Sequence, residues 1–234
     1  MLAIFKREFK AYFTSPTGYN FLGFSLILAG WFFAAGNLST SSADMSSFFS
    51  SLGIIFIFLV PMLTMRLIAE DKRNKTDQLL LTSPTTITKI VLGKFLSAIS
   101  LFGISLLIMC IYPCIMLIYG QPALGNIVAL YIGFFLLGSS LLSIGLFISA
   151  LTESQITSAI VSFGVMLLLW LADWVSNTLA NPIATTIIGW VSVLKRFEEF
   201  TMGILNLSSI VYYITFSAIF VFLTIQVIEK KRWS

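Results

Sequence analysis

Six stretches of this 234-residue chain stay apolar for about twenty residues at a time, and that repetition limits the possible folds more than any other feature. The runs cover roughly 19–38, 48–68, 91–119, 127–151, 156–174 and 210–228. Each is long enough for the ~20 residues that a ~30 Å hydrocarbon core demands. Lipid supplies no hydrogen-bond partners, so such runs must close their own bonds as helices; a barrel would show shorter alternating segments. Composition agrees. Only 10% of residues are charged and mean hydropathy is +0.97, whereas a soluble domain carries about 25% charge. The expected fold is all-α: one polytopic membrane domain over 1–234 with six transmembrane helices and no stretch polar enough to fold separately.

The first thirteen residues do not read as a cleavable signal. Lys6, Arg7, Glu8 and Lys10 alternate with Phe5, Phe9, Tyr12 and Phe13, and those aromatics fall at i, i+4, i+7, i+8 on one helix face. An aromatic stripe with a basic back predicts an interfacial helix over 1–13. Pro16 ends it, because proline cannot continue a helix. Pro61 predicts a kink in the second run. A Ser-rich loop at 39–47 and a turn at Gly120-Gln121-Pro122 separate other runs.

Of the 14 basic residues, all but Lys195 and Arg196 fall on the side that six spans assign to both termini and to the 69–90 and 152–155 loops. The positive-inside rule makes that side cytoplasmic. Between the fifth and sixth spans, 175–209 is too long for a turn, and its apolar run at 183–194 is too short to cross. A re-entrant or interfacial helical hairpin on the outer face is expected there, with Trp190, Phe197, Phe200 and Gly203 as outer-gate candidates. Lys195, Arg196, Glu198 and Glu199 are expected on an exposed face.

Catalysis finds no home. The chain has no histidine, the commonest general base and metal ligand. Cys110 and Cys114 share a helix face around Pro113 and read as small packing residues. Gly93-Lys94 lacks the rest of G-x-x-x-x-G-K-S/T and is not a phosphate loop. Neither an enzyme nor a metal site is expected, and no nucleic-acid partner. If ATP drives the protein, another subunit binds it.

The most informative stretch runs from Arg66 to Lys94. Charged residues from Glu70 to Lys75 suggest an exposed rim, Thr76-Asp77 an N-cap, and Leu79, Leu80 and Leu81 an apolar contact on a short helix before Ser83-Pro84. This stretch resembles the loop of ABC-2 family ABC-transporter permeases, in which Glu, Thr, a leucine pair and Pro precede a Gly-Lys start to the third helix. Glu70, Thr76, Leu80, Pro84, Gly93 and Lys94 match that pattern. Gln78 stands where many members have Glu, and Lys75 where many have Gly. A second likeness, in Phe197, Phe200, Gly203 and the Lys6-Arg7-Glu8-Phe9 opening, is to the gliding-motility-type branch, which is nitrous-oxide-maturation-like. There Asn206 replaces the usual Asp.

The resemblance implies a permease in a bacterial cytoplasmic membrane that meets two ABC ATP-binding subunits through 69–90. Glu70, Thr76, Gln78, Leu79, Leu80 and Pro84 would be the coupling residues. ATP and magnesium would sit on the partner, with no cofactor in this chain. It implies a second permease copy or a relative, surrounding lipid, and room for an accessory extracytoplasmic subunit. An amphipathic, peptide or lipid-like export substrate is expected; a non-transporting scaffold or sensor is the alternative. Small residues allow close helix approach in lipid, so Gly53, Ser158 and Ser162 are expected at a permease–permease seam.

Overall fold

The computed structural model describes residues 1–40, 42, 44–76, 85–119, 123–178 and 192–233. Among these the secondary structure is entirely helical, and six helices are long and apolar enough to cross a membrane. Helix α1 spans Leu2–Thr14 and α2 spans Pro16–Phe32, continuing as a π-helix over Phe33–Leu38. Next come α3 (Ser46–Thr64), the short α4 (Ala69–Arg73), α5 (Ile87–Met109) and α6 (Ile111–Tyr119). The chain ends with α7 (Leu124–Leu151), α8 (Gln155–Thr178), the short α9 (Phe197–Thr201) and α10 (Leu207–Trp233).

Two prolines act in ways the sequence reading had only half right. Pro16 stops α1 and also opens α2 at its first position, where the missing N–H costs nothing. The second helix folds back on α1 so tightly that a Cβ on Gly18 would lie 2.4 Å from the Tyr12 carbonyl oxygen. In the third span, Pro113 cannot donate to the carbonyl four residues back, that of Met109. The helix breaks there, at Cys110, into α5 and α6. The freed Met109 carbonyl accepts a hydrogen bond from the Tyr131 hydroxyl of α7 at 2.8 Å. Cys110 and Cys114, either side of the proline, are both free thiols.

The spans divide into central and peripheral. In α7, 72% of the most apolar window is buried, and in the span built on α3 67%, against 17% for the α8 span and 22% for α10. A helix that is apolar all round and buried all round has to be the hub. Around it α3, α5, α8, α9 and α10 all pack. Close approach is made at glycines: Gly138 receives the Phe102 ring of α5, Gly145 the Thr64 side chain of α3, and Gly133 the Phe200 ring of α9. A continuous aromatic layer fills the space between α2, α3, α5 and α7, with Phe56 meeting Phe21, Phe102 and Phe134 at centroid distances of 5.0–6.1 Å. Edge-to-face pairs at this spacing add about 0.5–1.5 kcal/mol each beyond area burial.

A Cβ on Gly138 would sit 2.2 Å from Phe102, a fully buried side chain, whereas one on Gly164 meets nothing within 4 Å. Gly138→Ala should therefore cost about 1–3 kcal/mol through overpacking. It should lower the thermal unfolding midpoint of the detergent-purified protein, while Gly164→Ala leaves that midpoint unchanged or raises it.

Candidate functional site

The end of the bundle that holds the start of α1, the α1–α2 corner, α4 and the start of α5 carries a polar network inside an otherwise apolar protein. Its centre is Lys94, only 3% exposed. The sequence places this lysine on the same α5 face as Ile87, Val91, Ala98 and Leu101, all of them buried. A cation on a core stripe needs partners brought to it. Gly93 lets α1 lie against α5, with Ile4 in the space a Cβ would need. Glu8 then reaches Lys94 Nζ at 3.1 Å. From the other side α4 presents Asp71, whose Oδ2 is 2.7 Å from the same nitrogen.

Neighbouring charges close the set. Arg7 pairs with Glu8 at 2.5 Å, and that bond raises the arginine pKa further. Arg66 grips Glu70 with two bonds, Nε to Oε2 at 2.6 Å and Nη2 to Oε1 at 2.9 Å. Its Nη1 donates to Ser15 Oγ at 2.7 Å and to Thr17 Oγ1, which ties the α1–α2 corner to the end of α3. Burial pushes the Tyr12 phenol far above its ordinary pKa and keeps it neutral. Three cations, Arg7, Arg66 and Lys94, thus stand against three carboxylates, Glu8, Glu70 and Asp71.

The backbone is satisfied in the same region. The buried N–H groups at the start of α4, those of Ile68 and Ala69, donate to Ser149 Oγ of α7 at 3.1 and 3.0 Å. Lys72 Nζ donates to the last carbonyls of α7, those of Ala150 and, at 3.2 Å, Thr152, which is where a cation suits the helix dipole. Lys72, expected on a free rim, is a helix cap. Thr76 bonds Asp71 through its hydroxyl, to Oδ1 at 2.9 Å, and through its N–H, to the Asp71 carbonyl at 2.9 Å. Between them Lys75 adopts φ 55°, the left-handed region, at the position where the resembled family often has glycine.

Among the expected coupling residues, Glu70 and Thr76 therefore sit in this network. Gln78, Leu79, Leu80 and Pro84 lie outside the described residues. Glu8, Arg66 and Asp71 were not singled out from sequence. The signal for Lys94 was present as a cation within an apolar helical stripe.

At the opposite end, Ser192 to Asn206 folds onto the bundle. Phe197 and Phe200 are buried against Phe134 and Tyr213, and Gly203 turns the chain at φ 76° beside Asn126. Tyr213 donates to the Val193 carbonyl at 2.5 Å, Ser46 to that of Thr201 at 2.8 Å. Two of the four charges expected on an open face are engaged: Arg196 lies over the Tyr212 ring at 4.1 Å, and Glu199 accepts from Ser209 at 2.6 Å. A 210 Å³ cleft lined by Gly53, Trp170, Asp173 and Phe197 opens beside this segment. Trp190 lies outside the described residues.

The residues expected at a permease seam are buried within this chain. Ser158 and Ser162 are completely buried and Gly53 is buried too, with Leu137 of α7 against it. Their small size is used inside the chain, where α8 packs on α3 and α7.

The profile described as an ABC-2 family transporter protein matches residues 10–172, well over half of the chain. The chain belongs to the ABC-2 family. Its place there is that of a membrane transport subunit, a permease component of an ABC transporter, and family membership implies partnership with ABC ATP-binding subunits. No curated protein matches the chain. Within the ABC-2 match lie Arg66, Glu70, Asp71 and Lys94; the folded segment at Ser192–Asn206 and helix α10 lie beyond it.

Lys94→Met would take the cation from Asp71 and leave Glu8 with Arg7 alone, and breaking such a buried pair costs about 3 kcal/mol. The single variant should unfold at a clearly lower temperature, and Glu8→Gln with Asp71→Asn in the same chain should restore most of the loss. A Lys94→Met protein as stable as the parent would remove the network from the list of fold determinants. Separately, Lys75→Gly should stabilise by about 1 kcal/mol, since glycine takes the left-handed region without a Cβ clash.

Proposed function

We propose that this chain is the permease of an ATP-driven exporter and that its polar end is where ATP binding and hydrolysis on a partner act on the bundle. The observation that carries this reading is the network around Lys94. It fastens the root of the 69–90 loop to α1, α5 and α7, so a displacement of that loop moves the ends of three helices together. In this reading Leu79 and Leu80 anchor in a groove of an ABC ATP-binding subunit that holds ATP and magnesium. Two such subunits serve two permeases, a pair of this chain or this chain and a relative.

The permease sits in a bacterial cytoplasmic membrane with both termini cytoplasmic and α1 at the interface, and it belongs to the gliding-motility-type branch. The second and fifth spans meet their counterparts through outward apolar side chains such as Ile54, Phe58, Ile160 and Leu168, which are 43–65% exposed in one chain. The segment holding Phe197, Phe200 and Gly203 caps the outer end as a gate, open to an accessory extracytoplasmic subunit. Apolar and aromatic walls suit an amphipathic, peptide or lipid-like substrate.

Two measurements test the reading. Single cysteines replacing Asn74 and Glu198, both exposed, in a background without Cys110 and Cys114, should differ in intact cells: an impermeant reagent labels the second and spares the first. Purification of the tagged chain from its own membranes should bring an ATP-binding subunit with it. Leu80→Ala should weaken that association by at least about 2 kcal/mol, as truncation of a packed anchor does, and Glu198→Ala should not change it. Absence of any ATP-binding subunit would refute the transporter assignment.

A further inference from the structure

Helix α1 has three faces, and one of them is committed to the bundle. Ile4, Glu8 and Tyr12 fall at i, i+4, i+8 and point inward: Ile4 lies against Gly93, Glu8 reaches Lys94, and Tyr12 is buried. Phe5, Phe9 and Phe13 make the second face. They form a half-buried ladder whose rings meet at 5.7 and 5.2 Å and continue to the exposed Tyr19 at 6.0 Å. The third face carries Lys6, Arg7 and Lys10, all exposed. Lys6 and Lys10 stand at i, i+4 and Arg7 and Lys10 at i, i+3, so the three are neighbours on the helix surface. Neither lysine has an ion pair among the described residues. Glu8, the only acidic residue of α1, is turned inward with its side chain 16% exposed. The outward face is therefore basic throughout.

The same helix is joined to the polar network through one oxygen. Oε1 of Glu8 pairs with Arg7 Nη2 at 2.5 Å and with Lys94 Nζ at 3.1 Å. The arginine side chain is 53% exposed and that of the lysine 4%. An anion arriving from outside meets Arg7 and never Lys94.

We propose that Lys6, Arg7 and Lys10 bind the phosphates of anionic phospholipids, with Phe9 and Phe13 set among the acyl chains, and that this seating tightens the Lys94 triad. Lipid phosphate takes Arg7 from Glu8, and Oε1 is left to Lys94 alone. Partners are exchanged and no buried charge is left without one, which keeps the cost of the step low. The aromatic ladder beside the cations selects the leaflet over an acidic protein surface, which has no apolar layer beneath its charges. The proposal rests on α1 lying at the membrane interface.

Hydrogen exchange of the full-length chain would be compared in nanodiscs of phosphatidylcholine with and without phosphatidylglycerol, read at α1 and at residues 69–76. Phosphatidylglycerol should slow exchange in both segments, in α1 by about fivefold for each cation engaged, the factor for about 1 kcal/mol per surface cation. Lys6→Gln with Lys10→Gln should cancel most of the slowing in both. Glu8→Gln keeps all three cations, so α1 should still respond to the lipid while 69–76 does not. Equal exchange in the two bilayers, slowing that survives the lysine substitutions, or a response at 69–76 that survives Glu8→Gln would each overturn the proposal. So would lysine variants that keep the slowing and instead lose an ATP-binding subunit on purification, since the basic face would then meet protein. The chain is measured without a partner, so failure here leaves the permease reading standing.

Discussion

The polar end of this protein depends on keeping one ammonium group neutralised where neither water nor lipid can reach it. A lone charge in such a place costs several kcal/mol, and apolar packing alone cannot offset that. Lys94 is tolerated because carboxylates arrive from two segments far apart in the chain, Glu8 on α1 and Asp71 on α4. Each arrival has its own geometric requirement: Gly93 for α1, and the Ser149 cap and Thr76 turn for α4. Apolar packing between helices in lipid has little direction of its own. The ion triad fixes how α1, α4 and α5 sit against one another.

The same rule governs the places where helices break. Pro113 leaves the Met109 carbonyl without a partner, and Tyr131 supplies the missing donor from another helix. The buried amides at the head of α4 find Ser149, and the last carbonyls of α7 find Lys72. In water such groups would simply be solvated. Inside a membrane bundle such groups need partners from the protein itself, and here Tyr131, Ser149 and Lys72 supply them.

This explains what could be read from sequence and what could not. The six spans were legible because length and hydropathy are properties of a contiguous stretch. Their ends were legible to within a few residues, Pro16 being both a stop and a start. The break at Cys110 was not, since it turns on which neighbour can replace one lost donor. Lys94 was counted for the side of the membrane it marks, and charge counting does not ask where a side chain points. Its position on the Ile87, Val91, Ala98 stripe was the available clue. Ser158, Ser162 and Gly53 were read as contact residues between chains because small size permits close approach. It permits it equally within a chain, and here α3, α7 and α8 use it.

The two ends of the bundle are held by different physics, and on the proposed reading that difference has a mechanical meaning. Around Lys94 the contacts are ionic, short and directional; displacing one partner by an ångström or two leaves a charge exposed to an apolar surrounding. At the far end Phe197 and Phe200 rest on Phe134, Gly133 and Tyr213 through ring faces and edges. Ring contacts lose little when rings slide, because dispersion is spread over many weak atom pairs. A load applied at the root of the 69–90 loop would therefore travel through the polar end as a rigid displacement of α1, α5 and α7. It would be taken up at the aromatic end, where the packing allows one surface to shift over another. A permease driven from one side needs its stiff joint at the side where force enters and its compliant one at the other. The distribution of charged and aromatic residues along this chain meets that requirement.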